Sequence, residues 1–281
     1  MKRPHLDGDA PIFRAKLAAH TARRLFDWTV RPKKWAAPTR RGGPHPHAVY
    51  RRAIAIFRND AAADPRFERG KRVNLALAAP AFHGVVVTRE RPLSFWRTLG
   101  RIRAEDGYQV GMEINGGCIV PSLGGGICML SNALFEAAAR LGWVVLERYG
   151  HSQQAVPDHG DPWGLDATVL WPHVDLRIAP RTGSARLGVT VSGDELIVEV
   201  HSDRASRVRV ELTSIDERNE PGPFRNNQIL RRRFVGNTLV GAEVIAQNRR
   251  RILDSAMQRR SCFTCDETAC GSRERFLARA S

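Results

Sequence analysis

The chain has 281 residues, 42% of them hydrophobic, enough to bury a substantial core in one large domain or in a core domain with extensions. A net charge of +15 invites a nucleic-acid partner, since clustered Arg and Lys attract phosphate backbones. The composition argues against one: only 5 of the 44 basic residues are Lys, an Arg bias that coding composition can produce, and no RGFGFV-type run or helix-turn-helix pattern appears.

Residues 1–35 carry charges throughout and contain no apolar run of the roughly 7–15 residues a secretory signal needs. No stretch approaches the roughly 18 apolar residues of a membrane helix. The expected location is therefore the cytoplasm, where the five cysteines serve as thiols or metal ligands rather than disulfides.

In chain order, residues 1–70 read as a basic, partly helical extension. Leu17, His20, Arg24 and Trp28 lie in its helical part, and Pro32, Pro38, Pro44 and Pro46 break the pattern. Residues 48–58 are predicted to form a short amphipathic helix. Residues 71–215 read as the core. Residues 72–79 look helical and Val85–Val87 looks β-like. Residues 127–141 give the clearest helix, with Asn132, Glu136 and Arg140 in one narrow polar stripe and apolar or small residues around the rest. Gly142 is a natural stop. Trp143–Arg148, Ala167–Trp171 and Val174–Ile178 read as strands. Leu187–Val191 and Leu196–Val200 flank Ser192-Gly193-Asp194 as a hairpin, and Val208–Leu212 alternates as well. The expected fold class is α+β: one buried central helix followed by a mostly antiparallel sheet. Residues 216–281 read as a basic C-terminal tail with a cysteine cluster.

Chemistry concentrates around Cys128. The run Gly124-Gly125-Gly126 lets the backbone turn tightly, and a helix starts at once after it. Cys128 then sits in the first helical turn, where unpaired N–H groups and the helix dipole favour a thiolate. The N–H groups of Gly126 and Cys128 are candidates for an oxyanion site, and Ser131 and Asn132 face the same side. A nucleophilic thiolate needs a base and the base an orienting group. His151 and Asp166, each at the end of a predicted strand, are the candidates. This order of Cys on a buried helix followed by His and Asp looks similar to papain-like and transglutaminase-like enzymes. Two other readings stand beside it. The glycine loop can bind an anionic or peptidic ligand without chemistry, or can exist for packing alone. A nucleic-acid-associated protein with a metal-binding tail is the third possibility. In it, Cys262, Cys265 and Cys270 form C-x2-C-x4-C, which suits zinc or an iron–sulfur cluster but lacks a fourth ligand nearby.

Five ordered motifs carry a resemblance. Ser94-Phe95-Trp96 with Gly100, then Gly107-Tyr108 with Asn115-Gly116, precede Gly124-Gly125-Gly126-Ile127-Cys128-Met129-Leu130-Ser131-Asn132. Glu147-Arg148-Tyr149-Gly150-His151-Ser152 follows, and then Val156-Pro157-Asp158 with Gly164-Leu165-Asp166-Ala167-Thr168-Val169 and Asp175-Leu176. Over roughly residues 72–200 this resembles the VanW family, with Asn226–Ile229 and Gln247-Asn248 as a weaker downstream part. Met129 stands where the family pattern has Gln, and Asp166 matches only some members. The resemblance implies a link to glycopeptide resistance, and through it a peptidic, cell-wall-related substrate.

Overall fold

A computed structural model describes residues 11–30, 35–38, 44–57, 65–115, 118–154 and 161–252. The elements run α1 (Pro11–Val30), β1 (Ala37–Pro38), β2 (His47–Ala55), α2 (Pro65–Phe82), β3 (Val85–Thr88), β4 (Leu93–Ser94), α3 (Phe95–Leu99), β5 (Val110–Asn115), β6 (Cys118–Leu123) and α4 (Cys128–Arg140). They continue as β7 (Val144–Glu147), β8 (Gln153–Gln154), β9 (Arg177–Ala179), β10 (Ser184–Ser192), β11 (Glu195–Ser202), β12 (Val208–Glu220), β13 (Phe224–Val235) and β14 (Thr238–Ile252). The class is α+β. One sheet has the order β1-β3-β10-β11-β2, a second β12-β13-β14-β8, a third β4-β9-β7, and β5 pairs with β6. Pairing is antiparallel except between β14 and β8.

Helix α4 is the central element because most of its surface is apolar. Leu130, Leu134, Phe135 and Ala137–Ala139 are buried along it. Its polar stripe is used rather than solvated. Asn132 Oδ1 accepts from the Ala167 N–H at 2.8 Å, and Glu136 takes Arg140 Nε at 2.8 Å together with Arg52. The helix ends before Gly142, whose φ of +71° suits glycine. The fully buried Arg231 then crosses from β13 to the helix C-terminus. It donates to the carbonyls of Ala138 and Ala139 at 3.4 Å and of Trp143 at 2.6 Å, as a cation placed there by the helix dipole should.

The Ser94-Phe95-Trp96 motif has a packing explanation. Phe95 and Trp96 bury their rings, and Trp96 meets Trp171 edge-on at 5.6 Å. Asp175 is fully buried and accepts from Ser94 Oγ at 2.5 Å and from the Trp96 N–H at 3.0 Å, so the motif binds the later Asp175-Leu176 directly. Helix α1 docks on the same region. Trp28 lies 5.3 Å from Trp171, and Arg24 grips Glu147 with two hydrogen bonds of 2.7 and 2.8 Å.

Several elements differ from their sequence expectation. The described part of 48–58 is not a helix: residues 48–55 lie in the strand β2, which pairs with β11 along its length, and its inward residues alternate. The β-branched Val49 and Ile54 favour this, and eleven residues of mixed periodicity do not separate the two states without knowledge of the partner strand. The helix predicted over 72–79 extends over Pro65–Phe82 and carries Pro80 in its last turn. Ala167–Trp171 is not a ladder strand. It is an extended segment tied by single bridges, Tyr149 to Thr168 and Leu170 to Val174. Of the next expected strand, Val174–Ile178, Arg177 and Ile178 join a ladder strand, β9 (Arg177–Ala179). Residues 216–252, taken from the sequence with the C-terminal tail, complete β12 and form β13 and β14, and Ile229, Ile245 and Ala246 join the main core. Among the described residues no helix is long and apolar enough to cross a membrane.

Candidate functional site

The N-terminus of α4 is built by close backbone packing. Hairpin β5–β6 delivers the chain into the turn Gly124–Ile127, with Gly124 at φ +74° and Gly126 at φ +95°, values that L side chains rarely adopt. Gly125 and Gly111 lie back to back: a Cβ on Gly125 would fall 2.4 Å from the Gly111 carbonyl carbon. The buried Asn74 of α2 locks this contact, donating to Gly125 O at 3.0 Å and Gln109 O at 2.9 Å while accepting from the Gln109 N–H at 2.8 Å. The N–H groups of Gly124, Gly125, Ile127 and Met129 go to backbone carbonyls of Gln109, Ser122, Gly124 and Gly126. Among the described residues, those of Gly126 and Cys128 make no such bond.

Half-buried Cys128 projects from this end of α4 toward the extended 166–169 segment. Its Sγ lies 3.7 Å from Thr168 Oγ1 and 3.8 Å from Val169 O, and hydrogen-bonds the His151 side chain. His151 Nδ1 pairs with Asp166 Oδ2, which leaves Nε2 as the ring nitrogen for the thiol. The His151 backbone N–H also reaches Asp166 Oδ2 at 3.4 Å. Asp166 Oδ1 in turn accepts from Arg148 at 2.7 Å and from Arg250. The structure thus brings Cys128, His151 and Asp166 into one chain of polar contacts.

The electrostatics follow the geometry. Burial pushes the Cys128 thiol up, but hydrogen bonding to His151 and its charge outweigh this, so the thiol sits below its ordinary value. Burial pulls His151 down, yet Asp166 and Cys128 raise it to about 10. Burial would raise Asp166, but His151, Arg250 and Arg148 bring it to about 2. Each member therefore favours the charged form of its neighbour.

Ser131 and Asn132, expected to face a ligand, are committed to holding the chain beside Asp166. Ser131 Oγ, fully buried, donates to Ala167 O at 2.6 Å, and Asn132 holds the Ala167 N–H. Three contributors were not marked in the sequence as site residues. Thr168 lies beside the sulfur. Arg148 donates from Nε to Asp166 O at 2.5 Å and from Nη2 to Gly164 O at 3.0 Å. Arg250 lies within Arg249-Arg250-Arg251, part of the stretch that the sequence presents as a basic C-terminal tail. On a strand, however, neighbours alternate sides: Arg249 is exposed and Arg250 buried.

Cys262, Cys265 and Cys270 lie outside the described residues, and among the described residues no group of three His, Cys, Asp or Glu side chains could hold a metal. Cys118 falls in β6.

A core built around one buried helix, with Cys128, His151 and Asp166 converging at that helix's N-terminus, defines an α+β protein with a candidate thiol site. Residues 70–201 match the model of VanW-like proteins, so this segment is similar to the VanW family. It is similar to the vancomycin B-type resistance protein VanW of Enterococcus faecalis, with 25% identity over 162 residues, covering 57% of this chain and 59% of that protein. It is also similar to the uncharacterized protein YoaR of Bacillus subtilis, with 36% identity over 104 residues, covering 37% of this chain and 33% of that protein. The chain thus spans less than two thirds of either relative. No solved structure matches it.

Proposed function

We propose that this protein is a cysteine-dependent amide- or acyl-transfer enzyme, with Cys128 as nucleophile, His151 as general base and acid, and Asp166 as the orienting carboxylate. The observation that carries the reading is the continuous path from Cys128 Sγ through the His151 ring to Asp166, which pairs with Arg148 and Arg250. In the reaction the Cys128 sulfur attacks a carbonyl carbon. The S–C bond forms, and the C=O pair moves onto oxygen, where the N–H groups of Gly126 and Cys128 receive it. Imidazolium His151 gives its proton to the leaving nitrogen and the C–N bond breaks, leaving a thioester. Water or an acceptor amine then loses a proton to His151 and attacks. The second tetrahedral intermediate collapses with cleavage of the S–C bond, which regenerates the thiolate. The order of residues is the one papain-like and transglutaminase-like enzymes use. The substrate class we assign is a peptidic amide related to the cell wall, which rests on the resistance role in the name of the relative from Enterococcus faecalis.

The test is the alkylation rate of Cys128 against pH, followed by mass spectrometry of its peptide in the full chain and in His151→Ala. An inflection well below the free-thiol value of about 8.5, moving up in His151→Ala, is expected. An activated ester should also leave its acyl group on Cys128. An ordinary thiol indifferent to His151 would refute the reading and leave the glycine loop as a binding or packing element.

A further inference from the structure

The hairpin β13–β14 lies wholly beyond residue 201, where the family-matched segment ends, yet it forms one wall of the site. Strand β14 runs parallel to β8, the two residues that follow His151 and Ser152, with Arg251 aligned on Gln153. The Arg251 N–H donates to Ser152 O at 2.9 Å. Just before it, Asn248 is seated between the two loops that carry His151 and Asp166. A Cβ on Gly150 would fall 2.7 Å from Asn248 Oδ1, and one on Gly164 2.3 Å from Asn248 Nδ2, so both loops pass the amide at glycine. Asn248 Nδ2 donates to Gly164 O at 3.2 Å and to Asn227 Oδ1 at 2.9 Å, and Asn227 donates on to Trp163 O at 2.7 Å. Arg250, only 3% exposed, completes the wall by pairing with Asp166 Oδ1 under the ring of Trp163.

Asp166 already has an ion-pair partner in Arg148, so neutralising its charge does not require a second arginine. What Arg250 adds is direction. Both guanidinium groups take Oδ1, and this leaves Oδ2 facing the ring and N–H of His151. Arg148 comes from the His151-bearing segment itself, whereas Arg250 comes from β14, a strand far later in the chain that pairs with the β8 end of that segment, so the carboxylate is held from two sides.

We infer that Arg250 is a positioning residue, seated by Asn248 and Asn227, that aims the Asp166 carboxylate at His151 and so makes the β13–β14 hairpin an integral part of the thiol site. This rests on the proposed Cys128–His151–Asp166 function. It has a consequence that separates aiming from mere proximity of charge. Removing a nearby positive charge without moving Asp166 leaves more negative field on His151 and raises its pKa. Releasing Asp166 from its orientation removes the hydrogen bond to Nδ1 and lowers it.

The experiment titrates the full chain with 13C-labelled histidine by NMR, assigning the His151 signal by its loss in His151→Ala, alongside Cys128 alkylation against pH. In Arg250→Gln the His151 midpoint is expected to fall toward the ordinary imidazole value of about 6.5. Cys128 should react more slowly at pH values below its midpoint, by about tenfold for each pH unit by which the thiol midpoint rises. Arg249→Gln, which removes an exposed partner of Glu220, should change neither titration. A His151 midpoint that rises or stays in place in Arg250→Gln overturns the inference. Should Arg250→Gln fail to fold, Arg250→Lys and Asn248→Ser are read in the same way, and unchanged midpoints in both overturn it. If His151→Ala itself leaves Cys128 unaltered, the triad reading has failed on its own account. If His151→Ala slows Cys128 and Arg250→Gln does not lower His151, only the positioning role has failed.

Discussion

The two sides of the Cys128 site are built in opposite ways. On one side, Gly124 to Asn132 form a local structure in which consecutive residues make the turn, start the helix and present the sulfur. On the other, Asp166 is held by residues scattered through the chain: Arg148 before it, Asn132 on α4 beside it, and Arg250 on β14 far beyond it. The local side is rigid because glycines allow backbone to meet backbone, which leaves no room for adjustment. The assembled side is ordered by charge and amide hydrogen bonds, whose contributions are coupled and depend on pH.

The largest expected effect falls on the assembled side. Asp166→Asn leaves Arg148 and Arg250 buried against a neutral group and should cost about 3–5 kcal/mol of stability at neutral pH, as breaking a buried ion pair does. Its pH dependence has a definite sign. Asp166 is depressed to about 2 in the folded chain, so its contribution is fully present above the unfolded value of about 3.9 and is lost as pH falls through about 2. The stability gap between wild type and Asp166→Asn, measured by thermal unfolding, should therefore narrow between pH 4 and pH 2. A gap constant over that range would mean that the charge of Asp166 is not what matters.

Gly125→Ala tests the local side. Its added carbon meets the backbone of Gly111 and Met112 at 2.4 and 2.6 Å, where no side chain can yield. A loss of about 3 kcal/mol is expected by denaturant titration, without the pH dependence of the Asp166 variant. A neutral substitution would show that the glycine loop can open at little cost. Ser131→Ala probes the seam between the two sides. It strands the Ala167 carbonyl and should cost about 1–3 kcal/mol, and it should also loosen Asp166, read as slower Cys128 alkylation. The smallest effect belongs to Arg249→Gln, which removes only an exposed ion pair with Glu220 and should leave the unfolding midpoint essentially where it is. If it perturbs the site as strongly as Arg250→Gln, the inside–outside alternation of β14 is not the explanation.

Legibility in the sequence followed the same divide. Helix α4, its polar stripe, its stop at Gly142 and the hairpin at Gly193 were all readable, since each depends on residues within a few positions of one another. Strand β2 was misread as a helix because its strand character comes from pairing with β11, which the local pattern does not contain. Ser131 and Asn132 were correctly placed on the face of Cys128, but their partner, Ala167, could be known only after the chain returned. Arg250 was hidden in a run of three arginines, because burial of the middle one requires a sheet with a definite inner face.

By itself, then, the sequence determined the resemblance to VanW-like proteins, the α+β class, the central helix and the choice of Cys128, His151 and Asp166 as the residues to watch. Periodicity, glycine placement and motif order are properties of the chain before it folds. Only the tertiary structure decided that Asp166 lies against His151, that two arginines share its far oxygen, and that residues 216–252 pack as strands against the core. These depend on contacts between segments far apart in the chain, whose energies arise only when folding excludes water and brings the partners within hydrogen-bond reach.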